Sequence, residues 1–153
     1  STDLTIQTEL NDILKNIIFY NDRLDKLKKV IYYGKQHNIK TPINIDAKIS
    51  PNEKQQKALH AAIGMVTESV EKLDTVYNSI LNNEDFDTAN IREEIGDTRF
   101  YEAVLLEIFN FDHNNVYQVN MNKLDQRYGE KFNEEGALNR NLDKEREILE
   151  DNL

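Results

Sequence analysis

Cysteine is absent from the 153-residue chain, which excludes disulfide frameworks and thiolate metal sites. Two prolines and five glycines are too few for a turn-rich β fold and favour long helices. Long hydrophobic runs are missing as well. Stretches such as Ala61-Ala62-Ile63 and Val104-Leu105-Leu106 fall far short of a bilayer span. The first residues carry Asp3 and Glu9 rather than a basic region ahead of an apolar one, so no signal peptide is expected and the expected location is the cytoplasm. Positive charge is in short supply: 19 Lys and Arg stand against 28 Asp and Glu, a net of −9. Such a chain is a poor partner for nucleic acid or an anionic membrane face. It can still hold an anion if a divalent cation binds first.

What is present is helical periodicity. Apolar residues from Leu10 through Ile13, Leu14, Ile17 and Ile18 to Leu24, Leu27, Val30 and Ile31 recur at three- and four-residue steps, which predicts a helix over about 3–33. Asn21-Asp22 is a candidate break and Gly34 a candidate stop. Residues 34–50, with Pro42, read as a long loop. Ser50-Pro51-Asn52-Glu53 signals the start of a second helix, with Ser at the cap, and that helix runs to about Leu81. Asn82 to Asp85 reads as a loop. A third helix begins near Asp87 or Asn90, with Asn90 and Glu93 as its capping pattern, and reaches about Phe109. A fourth covers about 114–128 and stops at Gly129. A loop with Gly136 precedes a charged helix from about Asp143. The expected fold is an all-α bundle of four to five helices in a single domain, 1–153. Residues 1–50 form its N-terminal extension, 51–128 its central helices and 129–153 its C-terminal loop and helix.

The acidic residues carry the chemistry. Seven acidic pairs stand at i, i+3, against about five expected from the acidic fraction alone, so their number decides nothing. Their setting does. Glu94 and Asp97 share a helix face with Ile91, Tyr101, Val104, Leu105 and Ile108, a stripe that must face a core if the helix packs. Glu68 follows Ala61, Gly64 and Met65 on its face and precedes Glu71 by one turn. Two facing helices would each bring two carboxylates inward. Four unpaired carboxylates are costly to bury, and a divalent cation resolves that cost. Oxygen-only ligands point to Mg²⁺ or Mn²⁺ rather than Zn²⁺. The competing reading leaves the acids on solvated faces or pairs them with Lys72, Arg92 or Arg99. Two other metal sites are excluded. Asn83, Asp85, Asp87 and Glu94 have EF-hand spacing, but Thr88 stands where the loop needs Gly. No His closes a Glu-x-x-His di-iron motif.

Glu68-Ser69-Val70-Glu71, followed after residues 72–93 by Glu94-Ile95-Gly96-Asp97, resembles the E-x-x-E…E-x-x-D signature of MazG-like nucleoside triphosphate pyrophosphohydrolases. The run from His60 to Glu68, the segment Arg92 to Asp97 and the segment Asn120-Met121-Asn122-Lys123-Leu124-Asp125-Gln126-Arg127-Tyr128 are similar to the corresponding family segments, particularly of phage-type members. Ala137 to Leu142 adds a further likeness. The resemblance covers about 53–145. Val70 departs from it, standing where the family often has Gly, and the segment 1–50 has no clear counterpart.

The resemblance implies hydrolysis of a nucleoside triphosphate to the monophosphate and pyrophosphate, acting on the deoxynucleotide pool. It implies that Glu68, Glu71, Glu94 and Asp97 hold Mg²⁺, or Mn²⁺, with Glu68 the candidate catalytic base. Asn120, Lys123 and Arg127 share one face of the fourth helix and are substrate-binding candidates for phosphate, with Tyr128 beside them; the alternatives are a solvated stripe and, for Tyr128, packing. Asn139 and Arg140 are weaker candidates. Phe100, Tyr101, Tyr32 or Tyr33 could stack on the base, or pack in the core. His60 reads as a packing residue. A homodimer or homotetramer is implied, with the first helix as a candidate interface. A deoxyuridine-triphosphate-specific relative is a second enzyme reading, and a non-catalytic helical interaction protein on the same scaffold a third.

Overall fold

The protein, seen in a computed structural model that describes residues 2–33, 51–129 and 134–151, consists of helices. In chain order they are α1 (Thr2–Tyr33), α2 (Glu53–Asn82), α3 (Thr88–Phe109), α4 (His113–Tyr128), α5 (Glu134–Leu138) and α6 (Leu142–Glu150). No strand occurs among the described residues, so the all-α class holds. The expected loop at 34–50, with Gly34 and Ser50, lies outside them. The chain divides into two compact units, Ser1–Ile108 and Phe109–Leu153, where the sequence pattern suggested one domain.

In the first unit α1 is continuous, with no break at Asn21-Asp22. The reason is tertiary: the buried Asn21 side chain donates from Nδ2 to the Thr67 carbonyl of α2 at 3.2 Å. Helix α2 starts two residues later than the Ser50 signal suggests. Its cap is Asn52, whose Oδ1 accepts from the Gln55 amide at 2.9 Å while Gln55 Oε1 accepts from the Asn52 amide at 2.8 Å. That reciprocal pair satisfies two orphan donors at once. The helix ends at Asn83, which takes the left-handed conformation (φ 52°) that releases the chain toward α3. Asp87 rather than Asn90 caps α3, accepting from the Asn90 amide at 3.0 Å. Asn90 is left to donate its side-chain Nδ2 to Thr75 Oγ1 of α2 at 2.6 Å.

The interior of this unit is unusually polar. Asn21, Lys28, Thr67, Glu68, Ser79 and Glu94 are buried, beside the apolar Ala61 and the ring of Tyr101. Gly64 makes the Tyr101 contact possible, since a methyl at that position would overlap the ring. Most large aliphatic side chains of α1 face outward instead.

The second unit packs α4 against α5 and α6. Asp112 caps α4 by accepting from the Asn115 amide at 2.9 Å, and Gly129 ends it at φ 65°. The stretch around Gly136 forms the short helix α5 instead of a loop. Among its described residues, Val119 and Glu145 are buried.

Candidate metal centre

Helices α2 and α3 bring three of the four expected carboxylates together. Glu68, Glu94 and Asp97 each offer an oxygen, and these atoms lie within 4.8 Å of one another. The i, i+3 step from Glu94 to Asp97 puts both on the side of α3 that faces Glu68. Glu68 and Glu94 are buried and Asp97 is exposed, so the cluster is closed at its base and open at one rim. Glu71, the fourth, is half-buried, one turn along α2 from Glu68. It stands beside the trio rather than within it.

Burial and mutual repulsion leave this group short of positive charge. Burial, then the Glu68 and Glu71 carboxylates, push the Glu94 carboxyl up to about 8. Burial and Glu68 raise Glu71 as well. At neutral pH Glu94 therefore keeps its proton unless a cation arrives. One of its oxygens, Oε2, is buried without any hydrogen-bond partner. An orphaned carboxylate oxygen is a costly feature that a bound ion would satisfy. Hard oxygen donors, two of them buried, fit Mg²⁺ or Mn²⁺.

The cations expected to neutralise the acids do other work. Lys72 donates its ammonium to the Glu94 carbonyl at 3.3 Å and to the Thr98 hydroxyl, stitching α2 to α3 by way of backbone and hydroxyl oxygens. Arg92 and Arg99 are exposed. Among the described residues, the cation paired with the cluster is Lys28 of α1, a residue the sequence pattern did not single out. Its Nζ lies 2.9 Å from Thr67 Oγ1, 3.0 Å from Asp25 and 3.5 Å from Glu68. Burial alone would lower the Lys28 ammonium, but the Asp25 hydrogen bond, with Tyr101 and Glu68 beside it, holds it above the usual lysine value. Asp25 is tied to Lys29 at 2.5 Å as well. One signal for Lys28 was available: it occupies the α2-facing side of α1 with Asn21 and Asp25, at three- and four-residue steps.

The aromatic candidates gather next to this site. Tyr32 stacks on His60 (3.8 Å between centroids, 4° between planes), and the Tyr33 hydroxyl and His60 Nε2 share a hydrogen bond at 3.2 Å. Phe100 meets Tyr101 edge-on at 5.4 Å. Burial, then Lys28, lowers His60 and keeps it neutral, in keeping with a packing role. A cavity of about 360 Å³ lies among Tyr33, Lys57, His60, Phe100 and Tyr101. Lys28 joins it to the acids, 5.3 Å from the Tyr101 ring centroid.

Asn120, Lys123, Arg127 and Tyr128 belong to the second unit, on α4. Asn120 is exposed and Lys123 half-buried. Arg127 is engaged within the unit: Nε and Nη2 donate to the two oxygens of buried Glu145 at 2.8 and 2.7 Å, and Arg140 shares Oε2 at 2.7 Å. Arg127 and then Arg140 hold the Glu145 carboxyl down at about 2. The Arg127 guanidinium also lies 5.4 Å from the Tyr128 ring centroid. The cationic face of α4 is thus partly neutralised by its own helix pair. Among the described residues, no helix is long and apolar enough to cross a membrane. In comparisons with family models, curated proteins and solved structures, nothing matches the chain.

Proposed function

We propose that the protein is a metal-dependent nucleoside triphosphate pyrophosphohydrolase of the MazG-like kind, acting on deoxynucleotides. The observation that carries this is the meeting of Glu68, Glu94 and Asp97 from two helices, with oxygens within 4.8 Å and one buried oxygen of Glu94 unpartnered. The same residues stand in the order and spacing of the family signature. Glu68, Glu94 and Asp97 would hold Mg²⁺, with Glu71 beside them. When bound, the cation offsets triphosphate charge and lowers the pKa of a coordinated water.

This chain's own groups do the rest. Glu68 takes the proton of the attacking water as the new oxygen–phosphorus bond forms and the bond to the bridging oxygen breaks. The monophosphate and pyrophosphate leave. Lys28 holds Glu68 in place and keeps one positive charge at the inner edge of the cluster. The cavity lined by Tyr33, His60, Phe100 and Tyr101 receives the base by stacking. By the family resemblance Asn120, Lys123 and Arg127 of the second unit are phosphate-binding candidates, and Arg127 binds phosphate only by giving up Glu145. The active protein is a homodimer or homotetramer in the cytoplasm.

Pyrophosphate release with Mg²⁺, measured across a panel of ribo- and deoxynucleoside triphosphates, tests this reading. Turnover that falls at least about a hundredfold in Glu71→Gln and in Asp97→Asn is expected. Absence of turnover on every substrate, with and without Mg²⁺ or Mn²⁺, overturns it and leaves the non-catalytic interaction protein.

A further inference from the structure

Lys28 reaches the acidic centre from a third helix. Its side chain is 3 % exposed, lies beside the Tyr101 ring, and ends among oxygens of three residues. Thr67 Oγ1 stands 2.9 Å from Nζ, an Asp25 carboxylate oxygen 3.0 Å and a Glu68 carboxylate oxygen 3.5 Å. The frame around them is fixed. The Thr67 hydroxyl donates to the Gly64 carbonyl at 3.0 Å, and the Thr67 carbonyl accepts from Asn21 Nδ2. Two carboxylates and a hydroxyl around one point form an ordinary oxygen set for a hard divalent cation. Here an ammonium fills that point.

Glu68 belongs to two groups at once. It meets Glu94 and Asp97 in the acidic trio, and it pairs with Lys28 on the side of α1. A carboxylate shared in this way is what joins the ions of a two-metal centre, where the metals stand about 3.5–4 Å apart. A lysine ammonium is a compact point charge, and a buried one repels a second cation strongly at short range. We propose that Lys28 stands in the place of a second metal ion, so that the centre takes one divalent cation and the chain itself supplies the other positive charge, an inference that rests on the metal-dependent reading of Glu68, Glu94 and Asp97. A purely mechanical role for Lys28, tying α1 to α2 and aiming Glu68, differs in sign. Removing a strut loosens Glu68 and weakens cation binding. Removing a stand-in charge uncovers Asp25, Thr67 and Glu68 and admits another cation.

Mn²⁺ binding to the full chain, counted by electron paramagnetic resonance, tests this. The wild type is expected to bind one ion per chain, with the spectrum of an isolated Mn²⁺. Lys28→Met should bind two, with the exchange-coupled spectrum of ions that share a carboxylate, and Lys28→Gln, which keeps a donor for Thr67, should do the same. Lys28→Arg retains the charge and should bind one. Adding Asp25→Asn to Lys28→Met removes an uncovered ligand and should return the count to one. Helical circular dichroism identifies the variants that have folded, and the wild-type count needs none of them. Two coupled ions in the wild type overturn the proposal and leave the metal-dependent reading standing. So does a single, more weakly held ion in folded Lys28→Met or Lys28→Gln, which makes Lys28 a strut. A wild type that binds no Mn²⁺ overturns the metal-dependent reading and the proposal with it.

Discussion

Glu94 is the residue on which the site turns. Its side chain is buried, one oxygen lacks a partner, and burial with the neighbouring carboxylates raises it to about 8 from an ordinary 4.5. A carboxyl raised on folding binds its proton more tightly in the folded chain, so its contribution to stability is full below about pH 4.5 and lost as pH rises toward 8. In the absence of metal, thermal unfolding should therefore occur at lower temperature as pH is raised over that window. Glu94→Gln should flatten the dependence and raise the midpoint at pH 8, while abolishing Mg²⁺ binding. A midpoint in the wild type that climbs steadily from pH 5 to 8 would contradict the assignment. At this scale much was legible from the sequence. The apolar stripe around Glu94 and Asp97 and the small residues before Glu68 pointed to the meeting of these three acids between α2 and α3, though Asp97 lies exposed rather than inward. Lys28 was obscured: its spacing from Asn21 and Asp25 marks a shared face, but Asp25, Lys28 and Lys29 also read as an ordinary ion-paired helix surface. Only the packing of α1 on Thr67 and Glu68 shows that Lys28 faces inward.

The helices were mostly legible from their periodicity and stops, and α2, α3 and α4 end within a residue or two of the positions their signals suggest. The errors lie at caps and breaks. Ser50 and Asn52 both suit an N-cap by composition, and the Gln55 partner decides between them. Asn21-Asp22 looks like an interruption until the Asn21 amide finds Thr67 across the helix pair. Local patterns do not contain such long-range partners. Two glycines on these helices differ in a way that packing sets. Beyond Gly96 the space is open, so Gly96→Ala should stabilise α3 by about 0.5–1 kcal/mol through helix propensity alone. Gly64 abuts the Tyr101 ring, so Gly64→Ala should cost about 1–3 kcal/mol as the ring is displaced. Denaturant unfolding of the two variants measures both, and a stabilising Gly64→Ala would show that Tyr101 does not pack where the structure places it.

On the scale of the whole molecule the composition already fixed the class, since a chain poor in proline and glycine and without cysteine has few routes other than helices. It did not reveal the division at Ile108, nor that Arg127 spends its charge on Glu145, because the residues concerned lie 18 apart and meet only when α4 packs on α6. What unites the first unit is a charge imbalance: among its described residues, the carboxylates of Glu68 and Glu94 share one interior with the ammonium of Lys28. The most direct measurement is calorimetric titration of Mg²⁺ into the full-length protein at pH 7, in two buffers of different ionisation enthalpy. Saturable binding with net release of protons, as Glu94 gives up its own, is the predicted result, lost in Asp97→Asn. No saturable heat at millimolar Mg²⁺, or binding that Asp97→Asn and Glu94→Gln leave unchanged, would contradict the account.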